Sequence, residues 1–142
     1  MFFLDWLNVD PEKNYKKTNF DMVQCASSNT NEYILINTLP MNEQNCLISG
    51  TIHAFTEEKQ INDMMSNIHS PDKKIIIYGK NANDESVYKK YRQMQNLGIT
   101  SIFIYTGGLF EWMLLQDIYG MKAFPTTMKV IDILKYKSST DI

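Results

Sequence analysis

Residues Lys73–Trp112 read KKIIIYGKNANDESVYKKYRQMQNLGITSIFIYTGGLFEW, and most of what the chain says about its architecture is written there. Ile75, Ile76, Ile77 and Tyr78 form an unbroken apolar run, the pattern of a strand buried on both faces. Gly79–Glu85 is polar and carries Gly, Asn and Asp, so it reads as a loop. Val87, Tyr91, Met94 and Leu97 then recur at helical spacing, and Gly98 stands just past the last turn, where a helix stops. Ile102, Phe103, Ile104 and Tyr105 make a second buried strand, closed by Gly107-Gly108. A strand, a crossover helix and a second strand in that order form a parallel unit. Ligands of open α/β sheets gather at the carboxyl ends of the strands, which directs attention to the loop Gly79–Glu85.

Upstream, Phe20, Met22 and Val23 start a short helix around Asp21–Ala26. Tyr33–Leu39 reads as a strand stopped at Pro40, which cannot donate to the ladder. Met41–Asn45 is a loop, and Leu47–Ala54 a short strand region in which Gly50 tolerates a turn or a close approach. Thr56 is the expected N-cap of the next helix, with Glu57 and Glu58 in its first turn. Ile61, Met64, Met65 and Ile68 mark its apolar face, and Ser70-Pro71-Asp72 ends it. Downstream of Trp112 a helix runs on through Met113, Leu114, Leu115 and Ile118 to a cap at Gly120. It is apolar nearly all round, so burial is expected. Pro125-Thr126-Thr127 restarts the chain, and the spacing of Met128, Val130, Ile131 and Leu134 predicts a last helix with Lys135–Lys137 in its final turn. The expected architecture is α/β, a parallel central sheet flanked by helices. Ile76 and Phe103 should lie fully buried on neighbouring strands.

With 142 residues the chain suits one domain, and a net charge of −2 gives no footprint for nucleic acid. Arg92 is the only arginine, which removes the usual bidentate grip on anions. Two cysteines, Cys25 and Cys46, with no CxxC pairing, point to a reduced intracellular, cytoplasmic setting with both thiols free. The start, MFFLDWL, is apolar but interrupted by Asp5 and too short to span a bilayer. Phe2, Phe3, Leu4, Trp6 and Leu7 read either as an arm packed on the domain or as an anchor for a partner or a membrane face.

The order strand, short loop, helix, Leu-Gly, strand, Gly-Gly, then Trp resembles the second half of a rhodanese-like (sulfurtransferase) domain. The matching pieces are IIIYG (75–79), NLGITSIFIYTGG (96–108) and GGLFEW (107–112). YILINTL (33–39) sits where that family has its first sheet strand, and CLISGTIHA (46–54) resembles its "His-Ile-x-Gly-Ala" strand. The resemblance implies a single rhodanese-like domain over residues 20–120, an N-terminal arm over 1–19, and a C-terminal helix and tail over 121–142 packed on the domain. In active members a Cys closes the strand, and the loop after it wraps backbone N–H groups around the thiolate and ends in Arg. Here Gly79 stands at the Cys position, and Asp84 or Glu85 at the Arg position. The resemblance therefore implies a catalytically inactive module, without cofactor, that binds another protein or serves a regulatory or structural role. The alternative it leaves open is a sulfurtransferase using a displaced cysteine.

The residues themselves bear on both readings. In the loop Gly79, Lys80, Asn81, Ala82, Asn83, Asp84, Glu85 and Ser86, Asn83 or Asp84 can cap the following helix, and the two carboxylates can answer the loop's N–H groups. The loop would then supply the negative charge that a thiolate or substrate otherwise brings. Lys80 with backbone amides is the alternative, a small-anion site. Cys25, on an amphipathic helix, reads as a buried small hydrophobe. Cys46, in a polar loop, is the more exposed thiol and the one candidate for a displaced nucleophile, yet Glu43, Gln44 and Asn45 do nothing to favour its thiolate. His53, within the GTIHA strand, reads as structural rather than catalytic; His69 is the only other histidine, and no spacing suggests a metal site. Trp112 is expected as core or cleft wall.

Overall fold

The structure is a computed structural model and describes residues 15–66 and 73–139. The apolar residues Phe2–Leu7, together with Ile68, His69, Ser70–Asp72 and the last three residues, lie outside the described residues. In chain order the elements are β1 (Lys17–Thr18), α1 (Phe20–Ser28), β2 (Tyr33–Asn37), α2 (Ala54–Ser66), β3 (Lys74–Tyr78), α3 (Ser86–Asn96), β4 (Ile102–Tyr105) and α4 (Gly108–Tyr119). Single 3₁₀ turns lie at Met41–Glu43 and Ile133–Tyr136.

The strands form one four-stranded sheet in the order β1-β4-β3-β2, every neighbouring pair parallel. The register places Leu35, Ile76 and Phe103 side by side across the three longer strands. Because side chains alternate across the pleat, two cores result. Leu35, Ile76, Tyr78 and Tyr105 face Val23, Leu109, Trp112 and Met113. Ile34, Ile36, Ile75, Ile77, Ile102 and Ile104 face Ile61, Val87, Tyr91 and Met94. The continuous apolar runs are thus explained by burial on both faces, as expected from the sequence. The α1 start is capped by Asn19, whose Oδ1 accepts the Asp21 N–H at 3.0 Å. Gly98 ends α3 at φ 93°, a left-handed backbone suited to glycine.

Several expectations are corrected. Phe103 is only half-buried, because β1 pairs no further back than Ile104; the Lys16 ammonium sits 5.8 Å from its ring instead. Leu47–Ala54 is not a continuous strand but two isolated bridges, Leu35 with Thr51 and Ile48 with Thr126. Gly50 breaks it: at φ 93°, a Cβ there would lie 2.8 Å from the Ser27 carbonyl oxygen. Helix α2 starts at Ala54, ahead of Thr56, whose hydroxyl donates back to the His53 carbonyl at 3.1 Å rather than capping. His53 accordingly lies off the sheet, exposed and stacked on Phe55 at 5.7 Å.

The last helix shrinks to the turn Ile133–Tyr136. Residues 125–128 are drawn into extended pairing with residues 47–49, where Thr127 N–H donates to the Leu47 carbonyl at 2.8 Å and Ser49 N–H to the Pro125 carbonyl at 3.0 Å. Finally, α4 is buried along one stripe only, through Leu109, Trp112, Met113 and Gln116, while Leu114, Ile118 and Tyr119 are exposed.

Candidate functional site

At the carboxyl ends of the strands the loop Gly79–Ser86 meets the residues after β2 and the start of α4. Tyr78, the last residue of β3, is fully buried, and its hydroxyl anchors the neighbouring segment. It accepts the Ile48 N–H at 3.1 Å and lies 2.8 Å from Thr51 Oγ1. Burial pushes its pKa well above the ordinary tyrosine value, against the opposing effect of those two hydrogen bonds. From this fixed point the chain turns up into the loop.

The loop's own donors and acceptors are used up within it. Asp84 Oδ2 accepts the Lys80 N–H at 2.9 Å, and Asp84 Oδ1 accepts the Ser86 N–H at 3.1 Å. The Ser86 hydroxyl bridges Asp84 Oδ1 (2.5 Å) and Thr38 Oγ1 (2.7 Å). Asn81 Oδ1 accepts the Asn83 N–H at 3.0 Å. A Cβ built on Gly79 would lie 2.5 Å from Asp84 Oδ2, so the carboxylate lies against the space a side chain at position 79 would enter. Between the two expected carboxylates the structure separates roles: Asp84 takes loop N–H groups, while Glu85 is exposed.

The N-terminus of α4 is likewise occupied. Leu109 and Phe110 N–H groups donate to the Gly79 and Lys80 carbonyls, both at 2.9 Å. That approach needs Gly108, at φ 70°, where a Cβ would meet Asn81 Cα and Gly79 O at 2.9 Å. Backbone donors that favour an anion at a helix start are here spent on carbonyls. Lys80, the candidate anion ligand, is held by Glu43 (Nζ to Oε1, 3.0 Å) and lies 5.9 Å from the Tyr136 ring.

Above the loop is an open cleft of about 790 Å³. Its walls include Thr38, Glu43, Lys80, Asp84, Glu85 and Ser139, three carboxylates against one ammonium. A second hollow of about 360 Å³ adjoins it, sharing Thr38 and Ser86. Glu43, Tyr136 and Ser139 join the site although sequence reasoning did not assign them to it. Glu43 and Tyr136 come from loops 37 and 56 residues away from Lys80, and only the convergence of loops at the strand ends brings them together. Tyr136 also gives its carbonyl to Asn81 Nδ2 at 2.9 Å.

The cysteines exchange the places expected of them. Cys25 is exposed and Cys46 is buried. Cys46 is roofed by the 125–128 segment, its Sγ 3.3 Å from the Met128 carbonyl, and burial raises its thiol pKa, with Met128, Thr126 and Lys135 acting the other way. Trp112 is fully buried core, its indole N–H donating to the Pro125 carbonyl at 3.0 Å. Among the described residues, no group of three or more His, Cys, Asp or Glu could hold a metal ion, and no helix is long and apolar enough to cross a membrane.

The family model of the rhodanese-like domain matches residues 11–115. Among solved structures, a protein of Bacillus halodurans superposes with a TM-score of 0.55 at 18% identity, over 72% of this chain and 74% of that one. A full-length protein from Lactobacillus plantarum gives 0.52 at 16% identity, over 80% of this chain and 88% of that one. At such identities these two likenesses concern the fold. No curated protein matches the chain.

Proposed function

The chain belongs to the rhodanese-like domain family, and we propose that here the family's sulfur-handling loop serves as a protein-binding cleft rather than as a catalytic centre. The observation that carries this reading is Asp84. Its carboxylate sits against Gly79, accepts the Lys80 and Ser86 N–H groups, and so answers the donors that would otherwise stabilise a thiolate. A sulfur-transfer cycle needs a nucleophile whose negative charge is favoured. At this loop there is no thiol, and the charge already present is of the wrong sign for one.

The displaced-thiol alternative would fall to Cys46. Burial of that sulfur and the upward push on its pKa both work against it. Cys25 is accessible, but it lies on α1, away from the loop residues that line the cleft. What the cleft retains is shape, a polar wall and an exposed carboxylate at Glu85, features suited to recognising a partner's surface.

The test has a chemical arm and a binding arm. Persulfide formation and thiocyanate production are measured with thiosulfate or 3-mercaptopyruvate for wild type, Cys46→Ser and Gly79→Cys, and all three are expected to be inactive. Gly79→Cys combined with Asp84→Arg should do better than Gly79→Cys alone, since it removes the like charge. In the native chain Cys25 should react rapidly with a thiol reagent at neutral pH and Cys46 only on unfolding. Robust turnover by wild type that vanishes in Cys46→Ser overturns the proposal in favour of the displaced-thiol enzyme. In the binding arm, a protein retained from extract by wild type should be lost by Glu85→Lys. Retention of the same proteins by both forms would count against the cleft as the binding site.

A further inference from the structure

The last described stretch of the chain, after α4, has two footings on the domain of unequal strength. The first is firm. The Pro125 carbonyl accepts the Trp112 indole N–H and the Ser49 N–H, both at 3.0 Å, and Thr127 N–H donates to the Leu47 carbonyl at 2.8 Å. Gln116 Nε2 adds bonds to the Phe124 carbonyl at 2.8 Å and to Thr126 Oγ1 at 2.9 Å. Beyond this footing, among the described residues, 129–139 make no backbone-to-backbone bond outside their own segment. Val130 and Ile133 are half-buried over a hollow of about 430 Å³ beside α4, and Tyr136 is the one buried residue from Thr127 onward.

We propose that residues 129–139 form a flap hinged after Met128, and that Asn81 of the cleft loop is the latch that holds it shut. Tyr136 is the flap's own footing, and its polar holds outside the flap come from the loop. Asn81 Nδ2 donates to the Tyr136 carbonyl at 2.9 Å, and the Lys80 ammonium lies 5.9 Å from the Tyr136 ring. The latch is tied in turn into the loop, since Asn81 Oδ1 accepts the Asn83 N–H at 3.0 Å and Lys80 is paired with Glu43. One hydrogen bond holds the flap where several hold the first footing. Segments with few buried contacts open locally, ahead of the domain as a whole. Opening therefore starts at Tyr136 and stops at Met128.

Cys46 lies where the two footings meet. Its Sγ is 3.3 Å from the Met128 carbonyl, and it belongs to the same buried cluster as Tyr136. The Lys135 ammonium and the Tyr136 ring are both within electrostatic reach of the sulfur. Lifting Tyr136 uncovers the thiol from the flap side while the first footing stays in place. Farther along the flap, Ser139 stands in the wall of the cleft, so opening also takes away part of that wall. The flap thus joins the cleft to the buried thiol beside it. That a partner in the cleft works the latch rests on the cleft's binding a protein, whereas the latch itself does not.

Cys25→Ser leaves Cys46 as the only thiol, so its labelling by a thiol reagent reports on the flap. In that background Asn81→Asp removes the donor to Tyr136 and keeps an oxygen for the Asn83 N–H, while Asn81→Ser removes the donor without adding charge. With Asn81 intact, labelling should be slow and rise steeply with denaturant, because that slope scales with the surface exposed and here requires global unfolding. In both Asn81 variants it should be several-fold faster without denaturant and nearly flat at low denaturant, with the far-ultraviolet circular dichroism unchanged. Unchanged labelling in either variant overturns the latch. Acceleration that keeps the steep dependence overturns it as well, since that is destabilisation of the whole domain. So does a Cys46 that reacts as fast as an exposed thiol with Asn81 intact. None of these readouts involves a partner, so the latch can fail while Glu85→Lys still abolishes retention, and the reverse.

Discussion

Beneath the cleft, Ile76 and Tyr78 sit in a sheet whose neighbours are apolar or hydrogen-bonded in one fixed arrangement; above it, Lys80, Asp84 and Ser86 hold one another, the Glu43 carboxylate and the Thr38 hydroxyl. The floor is specified by burial, which scales with every methylene and tolerates little change. The rim is specified by polar side chains that are partly open to water, where each contact is worth little by itself. The difference teaches that the frame and its loop are held by different forces, so that a change in the loop's polar contacts need not disturb the stability of the sheet.

The comparison breaks most easily at the floor. Ile76→Ala should cost about 2–5 kcal/mol in chemical denaturation, whereas Phe103→Ala, on the half-buried neighbour in register with it, should cost less. Equal losses at the two positions would show that Phe103 is as well covered as Ile76. Next comes Tyr78→Phe, which leaves the Ile48 N–H without its acceptor and should cost about 1–3 kcal/mol. A neutral result would mean that Thr51 or solvent replaces the tyrosine oxygen.

At the rim the effects should shrink. Gly79→Cys forces the Asp84 carboxylate to swing away, and the loss of its hydrogen bonds should amount to about 1–2 kcal/mol. Adding Asp84→Ala to that variant should then cost little more, since the carboxylate has already been displaced; full additivity of the two changes would count against the contact. Smallest is Glu43→Ala, which removes the partner of Lys80. Both side chains are about one-third exposed, and the change should fall within about 1 kcal/mol.

The floor was legible in the sequence and much of the rim was not, for a physical reason. Ile75–Tyr78 and Ile102–Tyr105 announce themselves because burial on both faces demands apolar residues without interruption, a signal carried entirely by the local sequence. Gly98 and Gly108, both at positive φ, punctuate those runs where the backbone needs them. That Asp84 would answer the loop's own N–H groups was equally readable, since such contacts act over two to four residues. The capping expected of Asn83 or Asp84 is not made: the N-cap position falls to Glu85, which makes no side-chain capping bond. Nothing local says that Thr127 pairs with Leu47, and that pairing abolishes the helix suggested by Met128–Leu134 and roofs Cys46. The exposed and buried thiols were misplaced on the same account: a polar neighbourhood in sequence describes the loop's composition, not the segment that returns from 80 residues away to cover it.

That returning segment separates kinship from integrity. The family match ends at residue 115, yet Trp112 gives its indole proton to Pro125, Gln116 bonds to Thr126 at 2.9 Å, and Asn81 bonds to Tyr136. Cut at the last matched residue, the chain would bare a tryptophan, a cysteine and the underside of its own cleft. The ancestry of this protein can be traced on a shorter fragment than the one able to stand by itself.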